Sequence, residues 1–153
     1  MLASLGGSSA YVIPKSLRFK SASYTNLTFT PTITGNTNVW TLSTWVRRAR
    51  ISSGGAFAPL LTAYANSNTY TSLYFANGDP FELVHAYNNI TAVIVTPNQR
   101  LQDTSAWYHI VVSANSPTSV NFYINGVLQP LGGNSLVANT FCFNTSGQTH
   151  YIG

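Results

Sequence analysis

The chain of 153 residues has room for one domain with a substantial core. Only 7% of it is charged, while 44% is hydrophobic and 13% aromatic, a balance that excludes a disordered chain and favours β structure with an uncharged polar surface. The net charge of +4, from seven basic residues against three acids, forms no broad basic stripe of the kind nucleic acid requires. No apolar run reaches the length of a membrane span.

In chain order, nearly every segment reads as a short strand between turns, and none shows a helical period. Residues 1–14, with "GGSS", are expected to form a flexible leader; they lack the basic start and continuous apolar core of a signal peptide. A single domain is expected over 15–153. "KSLRFKS" (15–21) alternates Leu17 and Phe19 against Lys and Arg, as an edge or half-buried strand would. "SYTNLTFTP" (23–31) follows and is stopped by Pro31. "NVWTLSTWVRRA" (38–49) is the first strong strand, with Leu42, Thr44 and Val46 on one face and Ser43 and Trp45 on the other. Its arginines, Arg47, Arg48 and Arg50, are expected on a solvated strand end, with an anion contact, to an acidic polysaccharide or a partner subunit, as the alternative.

"GGAFAPLLTAYA" (54–65) gives an apolar strand closed by a polar "NSNT" turn. "YTSLYFANGDPFELVHAY" (70–87) has the form of a hairpin around "NGDP", and "ITAVIVTP" (90–97) is apolar enough for a central strand. "WYHIVVSA" (107–114) puts Tyr108, Ile110 and Val112 on one face and Trp107, His109 and Val111 on the other. In "VNFYINGVLQP" (120–130), Asn125-Gly126 suits the positive φ angles of a type I′ turn. "GGNSL" reads as a loop. Cys142, alone in the chain, has no partner for an internal disulfide and is expected as a small buried hydrophobe on a strand. "THYIG" ends the chain at the start of a further strand. Strands at this spacing specify a sandwich or barrel.

"WTLSTWVRR", "AWYHIVVS" and "NFYINGVLQ", in that order, resemble the concanavalin A-like (laminin-G-like) lectin/glucanase superfamily. The opening "GGSSAYVIPKSLRFKSAS" with "VWTLSTWVRR" is similar to a subgroup found in virion proteins of tailed phages, particularly marine ones. The resemblance covers essentially the whole chain and implies an all-β jelly-roll sandwich of antiparallel strands. Members continue past an "H-x-I-G" segment into a strand resembling "F-x-G-x-I-x-E". This chain stops at Gly153, which implies either a longer appendage protein that begins with this domain or an edge completed by a neighbouring chain.

Glycosidases of this fold carry paired acids, because retaining hydrolysis needs two carboxyls about 5 Å apart. The three acids here are Asp79 in a turn, Glu82, and Asp103 in a loop, with no "E-x-D-x-x-E" arrangement. No catalytic residue is therefore assigned. His109 has no nucleophile motif beside it and is expected as a packed residue; His85 and His150 are isolated and lack metal-ligand spacing. "ANGDP" offers Asn77 and Asp79 to a calcium ion, but a hard cation wants six to eight oxygens, so an ordinary turn is the stronger reading and no cofactor or metal is assigned.

Glycan binding asks for an exposed aromatic ring with amides and hydroxyls around it. The loop-near cluster Tyr64, Asn66, Asn68, Tyr70, Tyr87, Asn88 and Asn89 meets that description. Trp40, Trp45 and Trp107 are expected in the core or at its rim. The resemblance implies a virion protein made in the host cytoplasm, a tail fibre, spike or capsid-associated appendage whose lectin-like domain attaches to host-surface polysaccharide. The alternative is a structural docking or capsid-decoration domain that binds no glycan, and a polysaccharide-degrading enzyme is a distant third. Other virion proteins are the expected partners, with a homo-oligomer, a trimer by analogy, and no nucleic acid.

Overall fold

The computed structural model describes residues 15–20, 25–51, 57–97, 100–133 and 140–153; the expected leader, 1–14, lies outside them. Among these residues the chain forms β1 (Leu27–Phe29), β2 (Trp40–Val46), β3 (Ala58–Asn66), β4 (Thr69–Phe75), β5 (Phe81–Tyr87), β6 (Ile90–Pro97), β7 (Tyr108–Ser116), β8 (Ser119–Ile124), β9 (Val127–Leu128), β10 (Leu131–Gly133) and β11 (Thr149–Ile152). They build two antiparallel sheets. One has seven strands in the order β1-β11-β3-β4-β5-β6-β10, and the other has four in the order β2-β7-β8-β9. The all-β sandwich expected from the sequence is present, with no helix among the described residues.

Alternation decides which side chains meet between the sheets. Ile110, Val112, Phe122 and Ile124 from β7 and β8 face Leu73, Phe75, Phe81 and Leu83 from β4 and β5, all at most 4% exposed. Burying each such side chain contributes on the order of 1.5–3 kcal/mol. Loop residues Leu101, Phe141 and Phe143 complete the core. Trp40 meets Phe141 and Phe143 edge-on, with ring centroids 5.3 and 4.9 Å away, so this end of the core is held by aromatic edges as well as burial.

Both hairpins read from the sequence form as expected. β4 and β5 pair from Tyr70↔Ala86 to Phe75↔Phe81 around "NGDP". β8 turns into β9 through Asn125 (φ 50°) and Gly126 (φ 80°), the left-handed pair a type I′ turn requires. Asn125 also accepts the His109 N–H at 2.9 Å and donates its own N–H to the His109 carbonyl at 2.8 Å, which ties the turn to β7.

Several expectations are corrected. Residues 15–20 form no strand, and Leu17 is 70% exposed, because no neighbouring strand pairs with their backbone among the described residues. Cys142 is buried but lies in a turn, where its N–H donates to Thr71 Oγ1 at 2.8 Å. Part of the expected "GGNSL" loop belongs to β10, which pairs with β6. Trp45 and Trp107 stand on the outside of the four-stranded sheet, 46% and 40% exposed; only Trp40 is a core residue. Trp45 follows from its own strand's alternation, since Leu42 and Val46 turn inward.

Arg48 departs most from expectation. Its side chain is 3% exposed, and it donates to Asp79 Oδ1 at 2.6 Å and to the Leu101 carbonyl at 3.0 Å while lying 4.4 Å over the Phe75 ring. Gln102 donates to the other Asp79 oxygen at 3.2 Å, and Arg100 donates to the Gly78 carbonyl at 2.6 Å. The "NGDP" turn is thus clamped to the chain that follows β2 and to the segment that leads into β7. Asp79 adopts φ 69°, a left-handed angle that its hydrogen bonds hold in place. Removing one partner of a buried pair strands the other charge. Arg48→Ala or Asp79→Ala is expected to cost about 3–5 kcal/mol in denaturant unfolding, and the neutral double variant Arg48→Met/Asp79→Asn, whose asparagine tolerates the left-handed angle, to recover much of that. A loss below about 1 kcal/mol in both single variants would show that the clamp does not hold the fold.

Candidate functional site

The structure gathers most of the sequence-predicted cluster at one end of the seven-stranded sheet. Tyr64 on β3 and Tyr70 on β4 are direct cross-strand partners, stacked with ring centroids 6.5 Å apart and planes at 26°. The β3–β4 turn is fixed by Asn66, whose Oδ1 accepts the Asn68 N–H at 2.9 Å. The β5–β6 turn consists of Asn88 and Asn89, at φ 48° and 66°, a left-handed pair that asparagine tolerates better than most residues. The Asn89 N–H reaches the Asn68 carbonyl at 3.4 Å, so the two turns sit side by side. Asn66, Asn68, Asn88 and Asn89 are exposed there. Tyr87 does not join the tyrosine pair. It follows Leu83 and His85 on the inward side of β5 and is half-buried.

Pairing register extends the site along the outer face in a way turn-based reading missed. Positions in line with Tyr64 and Tyr70 are Thr62 and Ser72, then Tyr74 and Glu82. Thr62 and Ser72 hydroxyls lie 2.7 Å apart. Ser72, Val84 and Ala86 are at most 5% exposed although they alternate with the core residues of their strands, so they form a buried floor of small side chains that neighbouring groups cover. β11 adds Thr149 beside Tyr64 and Tyr151 beside Thr62. The Tyr74 phenol donates to the Glu82 carboxylate and is held well above the usual tyrosine range, first by burial and then by that bond and charge. Counting alternate residues back from Tyr64 and forward from Tyr70 would have found Thr62, Ser72 and Tyr74; Glu82 and Tyr151 needed the strand order.

Ring faces, hydroxyls and amides are what this surface offers; a paired-acid machine is not. Glu82 is the one carboxylate on it. Asp79 is committed to Arg48 and Gln102, and Asp103 is fixed in an exposed loop by Ser105, whose hydrogen bonds hold its carboxyl below the usual range. With a guanidinium at 2.6 Å, the Asp79 carboxylate is also a poor cation ligand, so the "ANGDP" segment serves as a clamped turn.

The three histidines occupy separate places. His109 is half-buried on the outside of the four-stranded sheet, stacked on Trp45 at 4.9 Å with Nε2 2.9 Å from Ser43 Oγ. His85 and His150 are the buried ones, at 1% and 2% exposure. His150 stacks on Phe29 at 4.6 Å; its Nε2 accepts the Asn144 N–H at 3.2 Å, which leaves Nδ1–H to donate to the Gln148 carbonyl at 3.0 Å. His85 Nδ1 lies 3.0 Å from Thr71 Oγ1, and its Nε2 has no partner among the described residues. His85 and His150 are structural residues whose burial favours the neutral form.

A profile described as the concanavalin A-like lectin/glucanases superfamily matches residues 19–153. The chain belongs to that superfamily. The fold is similar to that of the CBM40 of the Ruminococcus gnavus IT-sialidase, solved bound to α2,3-sialyllactose, with a TM-score of 0.52 and 15% identity. That alignment covers 76% of this chain, and the chain spans 64% of the sialidase module. No curated protein sequence matches. At this identity the likeness speaks for a concanavalin A-like fold and no more.

The neutral histidines give the superfamily member a pH signature. Burial lowers both pKa values below the free value of 6.5, with smaller opposing hydrogen bonds to the Tyr70 and Gln148 backbone. The unfolded chain therefore takes up protons first as pH falls. Their contribution to stability is complete above about 6.5 and is lost as pH falls from there through the lowered folded-state values. Thermal midpoints are expected to drop between pH 7.5 and 5, with a shallower drop in His150→Gln; identical midpoints across that range would contradict the neutral assignment.

Proposed function

We propose that the domain binds carbohydrate on the outer face of the seven-stranded sheet and does not hydrolyse it. The observation that carries this reading is the stacked Tyr64–Tyr70 pair, set beside the Thr62–Ser72 hydroxyls. Tyrosine rings present an apolar face to sugar C–H groups and a phenol to sugar hydroxyls, at the cost of ordering few torsions. The asparagines of the two turns supply amide donors and acceptors at the end of the same face. Membership of a lectin-bearing superfamily and a fold shared with a module solved on a sialylated glycan support it. Glu82, tied to Tyr74 and without a second acid, orients ligand hydroxyls and supplies no hydrolytic pair.

The biological setting proposed is a tailed-phage virion appendage that attaches to host-surface polysaccharide, in a homo-oligomer. Its support is the "SLRFKSAS" and "WTLSTWVRR" resemblance. A docking role to other virion proteins is the second reading, favoured by the apolar Leu27 and Phe29 on edge strand β1, each nearly half exposed.

A glycan array bearing bacterial surface polysaccharides and sialyllactose separates the two. Binding is expected for at least one glycan, weakened about tenfold by Tyr64→Ala or Tyr70→Ala, a loss of about 1.4 kcal/mol. Unfolding midpoints should stay within a few degrees of the parent, since Tyr64 is 44% exposed. A blank array, or binding indifferent to both substitutions, would sink the proposal.

A further inference from the structure

The outside of the four-stranded sheet carries a second patch that the proposed function does not use. Trp45 on β2 is the cross-strand partner of His109 on β7, and just beyond the last paired residues, Val46 and Tyr108, come Arg47 and Trp107. The Arg47 guanidinium sits 5.9 Å from the Trp107 ring centroid. Two half-exposed indoles thus occupy one diagonal of a square, with a guanidinium and an imidazole on the other.

The square is pre-arranged. His109 packs against one face of Trp45, and the hydrogen bond between Ser43 Oγ and Nε2 fixes the imidazole plane behind it. β2 is the edge of its sheet, so no further strand stands on the opposite side of Trp45 among the described residues. Next along the same face come hydroxyls and an amide. Ser43 and Val111 lead to Thr41 and Ser113, whose hydroxyls lie 3.3 Å apart, and Ser113 is paired with Asn121.

Charge completes the argument. These 153 residues include three side-chain carboxylates, and each is engaged elsewhere: Asp79 by Arg48, Glu82 by Tyr74 and Asp103 by Ser105. Arg47 is exposed and has no internal counter-ion among them, so its positive charge is left for an external anion. An open indole face, neighbouring hydroxyls and an uncompensated guanidinium together match a pyranose that carries a carboxylate.

We infer that Trp45, Trp107 and Arg47 form a second binding site, for acidic saccharide, on the sheet opposite the Tyr64–Tyr70 face. This site stands on its own residues and does not depend on the first.

The test titrates the 153-residue protein with an alginate hexasaccharide, with neutral maltohexaose and with a poly-glutamate peptide, following the indole N–H resonances. Alginate is expected to shift Trp45 and Trp107 and leave core Trp40 in place. Trp45→Ala and Arg47→Gln should each weaken binding about tenfold, and added salt should weaken the parent more than Arg47→Gln. A Tyr64→Ala/Tyr70→Ala variant should keep the site, which separates its failure from failure at the first face. The inference is overturned by any of three results. Alginate could leave the Trp45 and Trp107 signals unmoved; maltohexaose or poly-glutamate could bind as tightly as alginate; or both substitutions could leave the affinity unchanged in protein whose melting curve matches the parent's.

Discussion

A charge pair in an apolar setting organises this sandwich. Arg48 follows the edge strand of one sheet and Asp79 lies in a turn of the other, so their 2.6 Å contact joins the layers at a point where neither has a ladder to share. Desolvating both groups is expensive, and their attraction compensates only because the surrounding bonds are also made: the Leu101 carbonyl and the Phe75 ring for the arginine, and Gln102 for the aspartate. The same contacts anchor residues 100–102 and hence the approach to β7.

Much of the fold was legible because its signals are local. Alternation from Tyr108 to Val112 and from Leu42 to Val46 gave the inward residues, and "NGDP" and Asn125-Gly126 gave the hairpins, since left-handed turn positions leave a mark in two or three residues. Arg48 was illegible for the opposite reason: its partner lies 31 positions away, and nothing in "WVRRARIS" separates it from its exposed neighbours. Trp45 was legible but overridden, as the expectation that tryptophan is buried outweighed the strand parity that turned it outward. The two turn tips of the candidate site could be listed from composition. The floor between them could not, because Ser72, Val84 and Ala86 become neighbours only through pairing register.

The two outer faces solve different chemical problems. The seven-stranded face combines stacked phenols, hydroxyls and one carboxylate. The four-stranded face carries indoles with a guanidinium, so a charged ligand on it would feel solvent screening directly. Buried histidines and the Trp40 cluster lie between them and serve rigidity.

The position of β11 has a mechanical consequence. It sits between β1 and β3, antiparallel to both, with Leu27 opposite Ile152 and Phe29 opposite His150. The chain therefore enters β1 and leaves β11 at the same end of the pair. A tension applied across the domain through these two strands would load their hydrogen bonds one after another and peel β1 away, instead of straining all of them together. Resistance to such a pull would rest on the Phe29–His150 stack more than on the ladder.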